Sequence, residues 1–120
     1  MLEIFVLLSI KHAVADLMLQ SMKYVPGSSS KTDYPWGGQR HYLDHSALTF
    51  CVFVFFVPWQ IAIMAAVCDH IAHWHIDYCK QRYIEWKNVK MRSMAYWNAA
   101  TIDQIMHFVT YYILVVTFYI

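Results

Sequence analysis

From Phe108 to Ile120 the chain carries no charged side chain. A run of that kind has to be hidden in a protein core or surrounded by lipid. Leu2 to Ile10 is similar apart from Glu3, and so is His45 to Val57. Over the 120 residues, 59% are hydrophobic and 14% charged, whereas soluble domains are about one quarter charged. The expectation is a single transmembrane helical domain covering residues 1–120. A soluble helical bundle is the alternative, and the uncharged final run argues against it. The formal net charge of +1 gives no basic field, and no RNA-binding or zinc-finger spacing is present, so no nucleic-acid partner is expected. Cys51, Cys68 and Cys79 are odd in number and form no C-x-x-C pair; they read as reduced packing residues.

Four helices are expected. The first runs from about Leu2 to Met22, long enough at about 1.5 Å per residue to cross a hydrocarbon layer of about 30 Å. It has no basic segment before it, and Lys11, His12 and Asp16 follow its apolar start, which reads as a retained helix rather than a cleaved signal. Pro26, Gly27, Ser28 to Ser30, Pro35, Gly37 and Gly38 then form a polar loop. The second helix begins near His45, with Tyr42 and Leu43 available to lengthen it. Pro58 either turns the chain tightly into a third helix reaching about Lys80, or kinks a single span and leaves three in all. The last helix runs from about Met94 to Tyr119.

Charge chooses between these topologies. Lys23, Lys31 and Arg40 precede the second helix, Lys80, Arg82, Lys87, Lys90 and Arg92 precede the last, and the Pro58 region has no basic residue. A turn at Pro58 puts both basic loops on one side, as the positive-inside rule requires. The expected fold is therefore an all-α polytopic transmembrane bundle of four helices with a tight turn at Pro58. It would be integral to a bacterial inner membrane, with both termini outside the cytoplasm. Tyr96, Trp97 and Tyr119 suit the interfaces, and Trp59 the outer turn.

Ionisable groups inside such helices are costly unless paired, wetted or metal-bound. His12, Asp16 and Gln20 recur every four residues, on one face at about 100° per residue. On the third helix, with Asp69 at zero, Lys80 falls at about 20°, His73 at about 40°, Asp77 at about 80° and His70 at about 100°, while His75 at about 240° is excluded. Asp103 and His107 repeat the spacing on the last helix, and His45 opens the second. All these groups fall in the cytoplasmic halves of their helices. Imidazole and carboxylate donors without thiolate suit zinc, manganese or iron. His12, Asp16, His45, Asp69, His70, His73 and Asp77 are the candidate ligands. Asp103 and His107 are candidate further ligands or acid and base, and Lys80 a candidate anion-binding group. The plainer reading makes these residues interhelical salt bridges, such as Lys80 with Asp77. Lys11 and His41 are read as snorkelling or interfacial.

The motifs His12-Ala-Val-Ala-Asp16-Leu-Met-Leu-Gln20, His45, His73-Trp-His-Ile-Asp77-Tyr-Cys-Lys80 and Asp103-Gln104-Ile-Met-His107 resemble a family of small bacterial and phage membrane proteins, domain of unknown function 3307. The resemblance covers nearly the whole chain and implies a helical membrane fold, but no activity. Asp69, His70 and His75 are additions to the family pattern, and the Ser-, Gly- and Trp-rich first loop has no place in it.

The expected function is metal binding, with metal-dependent hydrolysis of a lipid-like substrate as the first reading. A channel, proton relay or ion carrier is the second, and an accessory subunit, homo-oligomeric or packed on a larger membrane partner through Phe53, Phe55 and Phe56, the third. Glu3 apart, the outer halves of the helices lack ionisable groups, which favours a one-sided pocket over a transmembrane path.

Overall fold

The computed structural model describes residues 1–19 and 38–120. Gln20, the first helix beyond Leu19, most of the Pro- and Gly-containing loop, Lys23 and Lys31 lie outside them. All regular structure in the described residues is helical. Helix α1 spans Leu2–Ala13 and continues as a π-helical segment over Val14–Leu19. Helices α2, Gln39–Phe53, α3, Trp59–Trp86, and α4, Met94–Phe118, complete the fold.

Helix boundaries follow local chemistry. Pro58 has no N–H to donate and drives the preceding residue out of helical geometry, so α2 ends before it. Its own ψ of 148° turns the chain into α3, and the Pro58 break makes two helices rather than one kinked helix. Gly38, at φ 77°, starts α2 earlier than expected, at Gln39 rather than near His45. At the other end Ser93 caps α4, its hydroxyl oxygen accepting from the Tyr96 N–H at 3.2 Å.

Cross-helix pairs fix the arrangement. His45 stacks on His73 and Thr49 bonds Asp69, so numbers rise along α2 as they fall along α3. Asp77 with His107 and Lys80 with Asp103 make α3 and α4 antiparallel in the same way. Helix α1 packs on α2 and on α4, leaving α1 and α3 diagonal across an up-down-up-down bundle. Both termini and the Pro58 turn share one end, where the Phe56 and Tyr119 rings are 5.8 Å apart.

The two halves of this bundle differ in kind. Near the termini the core is apolar: Ile4, Leu8, Phe53, Ala62, Leu114 and Val115. Towards the other end it is polar, with Lys11, His12, His41, His45, Asp69, His73, Asp77, Asp103 and His107 all buried. The outer surface is the reverse, exposing Ile10, Leu43, Ile63, Met64, Ile102 and Ile113 among many others. Among the described residues only Met94–Phe118 is long and apolar enough to cross a membrane, and 28% of its apolar window is buried. Phe53 is fully buried while Phe55 is 85% exposed, so the phenylalanines expected to form one docking face point in different directions.

Lys11 corrects the sequence reading, because it neither snorkels nor reaches an interface. Its Nζ lies 2.8 Å from Asp69 Oδ2, with the two side chains 4% and 1% exposed. It also donates to the His45 carbonyl at 3.3 Å and sits 4.6 Å from the centre of the Tyr111 ring. Thr49 Oγ1 donates to the same Asp69 oxygen at 2.5 Å. The pair ties α1 to α3 across the diagonal, where direct helix contact is otherwise slight. Lys11→Met alone should cost about 3–5 kcal/mol, because it strands a buried carboxylate, whereas adding Asp69→Leu should recover most of the loss. Equilibrium unfolding of the two variants beside the parent protein checks this, and an unrecovered double variant contradicts it.

Candidate metal centre

Each helix delivers a histidine to one point in the polar half. On α1 the buried face runs Ile4, Leu8, Lys11, His12, the spacing of a core-facing helical stripe, and the π-helical segment then carries Asp16. On α3 the stripe is Ala62, Ala65, Asp69, His73, Asp77. On α4 it is Asp103, His107, Tyr111, Leu114. His41 and His45 are four apart on α2, both buried.

The rings of His45, His73 and His107 stack, His73 in the middle, with centroids 3.7 Å and 3.8 Å from its neighbours. His12 touches all three, at 5.1, 5.6 and 5.0 Å. Three imidazoles converge on the Asp16 carboxylate: His45 Nε2 at 2.9 Å, His12 Nε2 at 3.1 Å and His41 Nε2 at 3.2 Å. His107 Nε2 donates to Asp77 Oδ1 at 3.0 Å and lies 3.5 Å from Asp103 Oδ1. The second Asp77 oxygen faces His41 at 3.8 Å. Tyr111 Oη lies 2.6 Å from His12 Nδ1, behind the ring, while Nε2, which faces Asp16, also has Gln104 Oε1 at 3.0 Å.

His73 differs from the others. It is fully buried, yet neither ring nitrogen has a hydrogen-bond partner among the described residues. Leaving a buried polar atom unsatisfied costs about 1–3 kcal/mol, and this ring has two. His41 Nδ1 and Asp103 Oδ1 are likewise buried without a hydrogen bond.

Three sets of donor atoms lie mutually within 4.8 Å: His12, Asp16, His45 and His73; His41, His73 and Asp77; Asp77, Asp103 and His107. Ligands held about 2.0–2.2 Å from one ion lie no more than about 4.4 Å apart, so a bound ion would draw the widest of these donors slightly together. Of the residues singled out by spacing, His12, Asp16, His45, His73, Asp77, Asp103 and His107 come together. Asp69 does not join them, its charge being met by Lys11. His70 turns away, donating from Nε2 to Gln39 Oε1 at 2.8 Å. Lys80 pairs with Asp103 at 3.3 Å, whereas Asp77 was its expected partner. His75 is exposed and lies off the stripe, bonded to the Ile71 carbonyl.

His41 was assigned to the interface because α2 was expected to start after it. Its spacing of four from His45 was the available signal. Tyr111 gives none, being indistinguishable from other polar groups on a long apolar helix, and Gln104 stands in the Asp103-Gln104-Ile-Met-His107 motif without an assigned role.

No curated protein and no solved structure matches the chain. The model of one protein family, protein of unknown function (DUF3307), matches residues 4–120. With nearly its whole length inside that match, the chain belongs to the DUF3307 family.

Proposed function

We propose that this is an integral membrane protein that binds a divalent metal ion, zinc, manganese or iron, in the half of its bundle away from the termini. The ion serves hydrolysis of a lipid-like substrate. The observation that carries the metal reading is His73, a fully buried imidazole with both nitrogens unsatisfied in the midst of other donors. A cation would use one of those nitrogens. It would also compensate Asp16, whose partners among the described residues are imidazoles rather than a lysine or arginine. His12, Asp16, His45 and His73 would supply its ligands, three of them leaving a tetrahedral ion one position for water. Bound there, the ion supplies Lewis acidity that lowers the pKa of water. His107, held by Asp77 and Asp103 and stacked on His73, would be the neighbouring acid–base group.

The membrane reading rests on the inverted distribution of polarity, with charge inside and bulky apolar side chains outside. Its long axis of 44 Å agrees with the roughly 40–45 Å of a bilayer with headgroups. Trp59 at one end of α3 and Trp86 at the other are both exposed, as interfacial anchors are. The basic residues from Lys80 to Arg92 would face the cytoplasm, and both termini the opposite side.

The topology is open to cysteine labelling on a Cys-free background in bacterial cells. Phe55→Cys, beside the Pro58 turn, should react with an impermeant thiol reagent from outside, and Met91→Cys only after permeabilisation. Equal reaction of both in intact cells would remove the four-span arrangement.

Protein purified without chelators should retain about one equivalent of zinc, manganese or iron by elemental analysis, given one four-donor set among the described residues. His73→Phe and Asp16→Asn should lose it. Tyr111→Phe, which removes only the group behind His12, should weaken metal binding about 10–100-fold. Turnover of a phosphoester or carboxylic ester in mixed micelles should fall in step with metal content. Metal or proton flux in proteoliposomes without turnover would replace hydrolysis by transport, and absence of metal from the parent protein would end the metal reading.

A further inference from the structure

A cavity of about 530 Å³ lies between α3 and α4 beside the cluster, within the roughly 300–1,000 Å³ of small-ligand sites. Its walls are largely apolar, including Ile76, Tyr83, Ala99, Ile102 and Met106, and two charged side chains reach it, Lys80 and Asp103. Ile102 and Met106 are also exposed on the outer surface, so the cavity is continuous with the apolar exterior. Asp103 belongs at once to this cavity and to the donor set with Asp77 and His107.

The two charges are held differently. Asp103 is 2% exposed at its side chain, accepts from Gln104 Nε2 at 3.2 Å, and has His107 within 3.5 Å. Lys80 keeps 25% exposure, and its ammonium lies 3.3 Å from Asp103, longer than the 2.7–2.9 Å of a tight charge-assisted bond. If Lys80 swings away, Asp103 still has Gln104 and His107. The side chain that can turn to a ligand is therefore the cation.

We infer that this cavity binds a single-chain amphiphile with an anionic head, such as an alkyl phosphate, the head drawing Lys80 off Asp103 and the chain lying along Ile102 and Met106. This deepens the proposed function by naming the substrate class, and it rests on that reading only for what happens to the head group afterwards. Binding itself needs Lys80 and the apolar wall.

The test is calorimetric titration of the purified protein in neutral detergent with dodecyl phosphate, dodecanol and inorganic phosphate, with metal content and elution profile measured on every sample. Dodecyl phosphate should bind about ten- to hundredfold more tightly than dodecanol, the worth of one charge-assisted contact, and inorganic phosphate more weakly than dodecyl phosphate. Lys80→Met should reduce dodecyl phosphate to the level of dodecanol. Ile102→Trp, which fills the cavity, should weaken both. Neither variant should change metal content. Equal binding of dodecyl phosphate and dodecanol, no effect of Lys80→Met, or inorganic phosphate binding as tightly as dodecyl phosphate would each overturn the inference. Metal-free parent protein that still discriminates by Lys80 would remove the metal reading and leave this one standing. Metal-loaded protein without discrimination would do the reverse.

Discussion

A charge buried inside an apolar bundle has to be answered by another group, and in this protein the answer comes from a different helix. Lys11 of α1 meets Asp69 of α3, Lys80 of α3 meets Asp103 of α4, and Asp77 of α3 meets His107 of α4. Such contacts specify rotation and height as apolar packing cannot, because a small turn of one helix would strand an ion. The cost of stranding exceeds what most single apolar contacts contribute. In the proposed membrane setting, apolar side chains would gain little by leaving lipid for one another, and these polar contacts would carry more of the association.

This constraint divides the molecule. Packing by Ile4, Leu8, Phe53, Leu114 and Val115 closes the end that holds the termini, and the polar groups gather in the other half. A continuous polar route from end to end is not built from the described residues. What is built is a buried cluster of histidines and carboxylates with a cavity at its side that shares Asp103. The Lys11–Asp69 pair beside it is electrically complete, which leaves Asp16, Asp77 and the imidazoles available to the proposed ion.

Much of the fold was legible because its signals are local. Pro58 cannot continue a helix, the basic residues avoid its neighbourhood, and imidazole and carboxylate side chains spaced by four share a face whatever the helix packs against. The spacing of Asp69, His73 and Asp77 gave a true stripe. It could not say that Asp69 faces a lysine and His73 faces other histidines, since partner identity depends on the rotation of a second helix. Lys11 was misread because a lysine in an apolar run is ordinarily free to snorkel, and only its register with Ile4 and Leu8 marks it as inward. His41 was missed through a boundary set by the backbone at Gly38. His70, about 100° from Asp69, fell at the edge of the stripe, and there a neighbouring Gln39 was enough to take it.

The proposed metal ion would be held by these side chains through nitrogen and oxygen. X-ray absorption at the edge of the metal retained by the purified protein tests it most directly. The expected spectrum has a first shell of nitrogen and oxygen at about 2.0–2.2 Å with outer-shell scattering from several imidazoles. A shell dominated by sulfur at about 2.3 Å, or one without imidazole scattering, would place the metal elsewhere and contradict the assignment of His12, Asp16, His45 and His73.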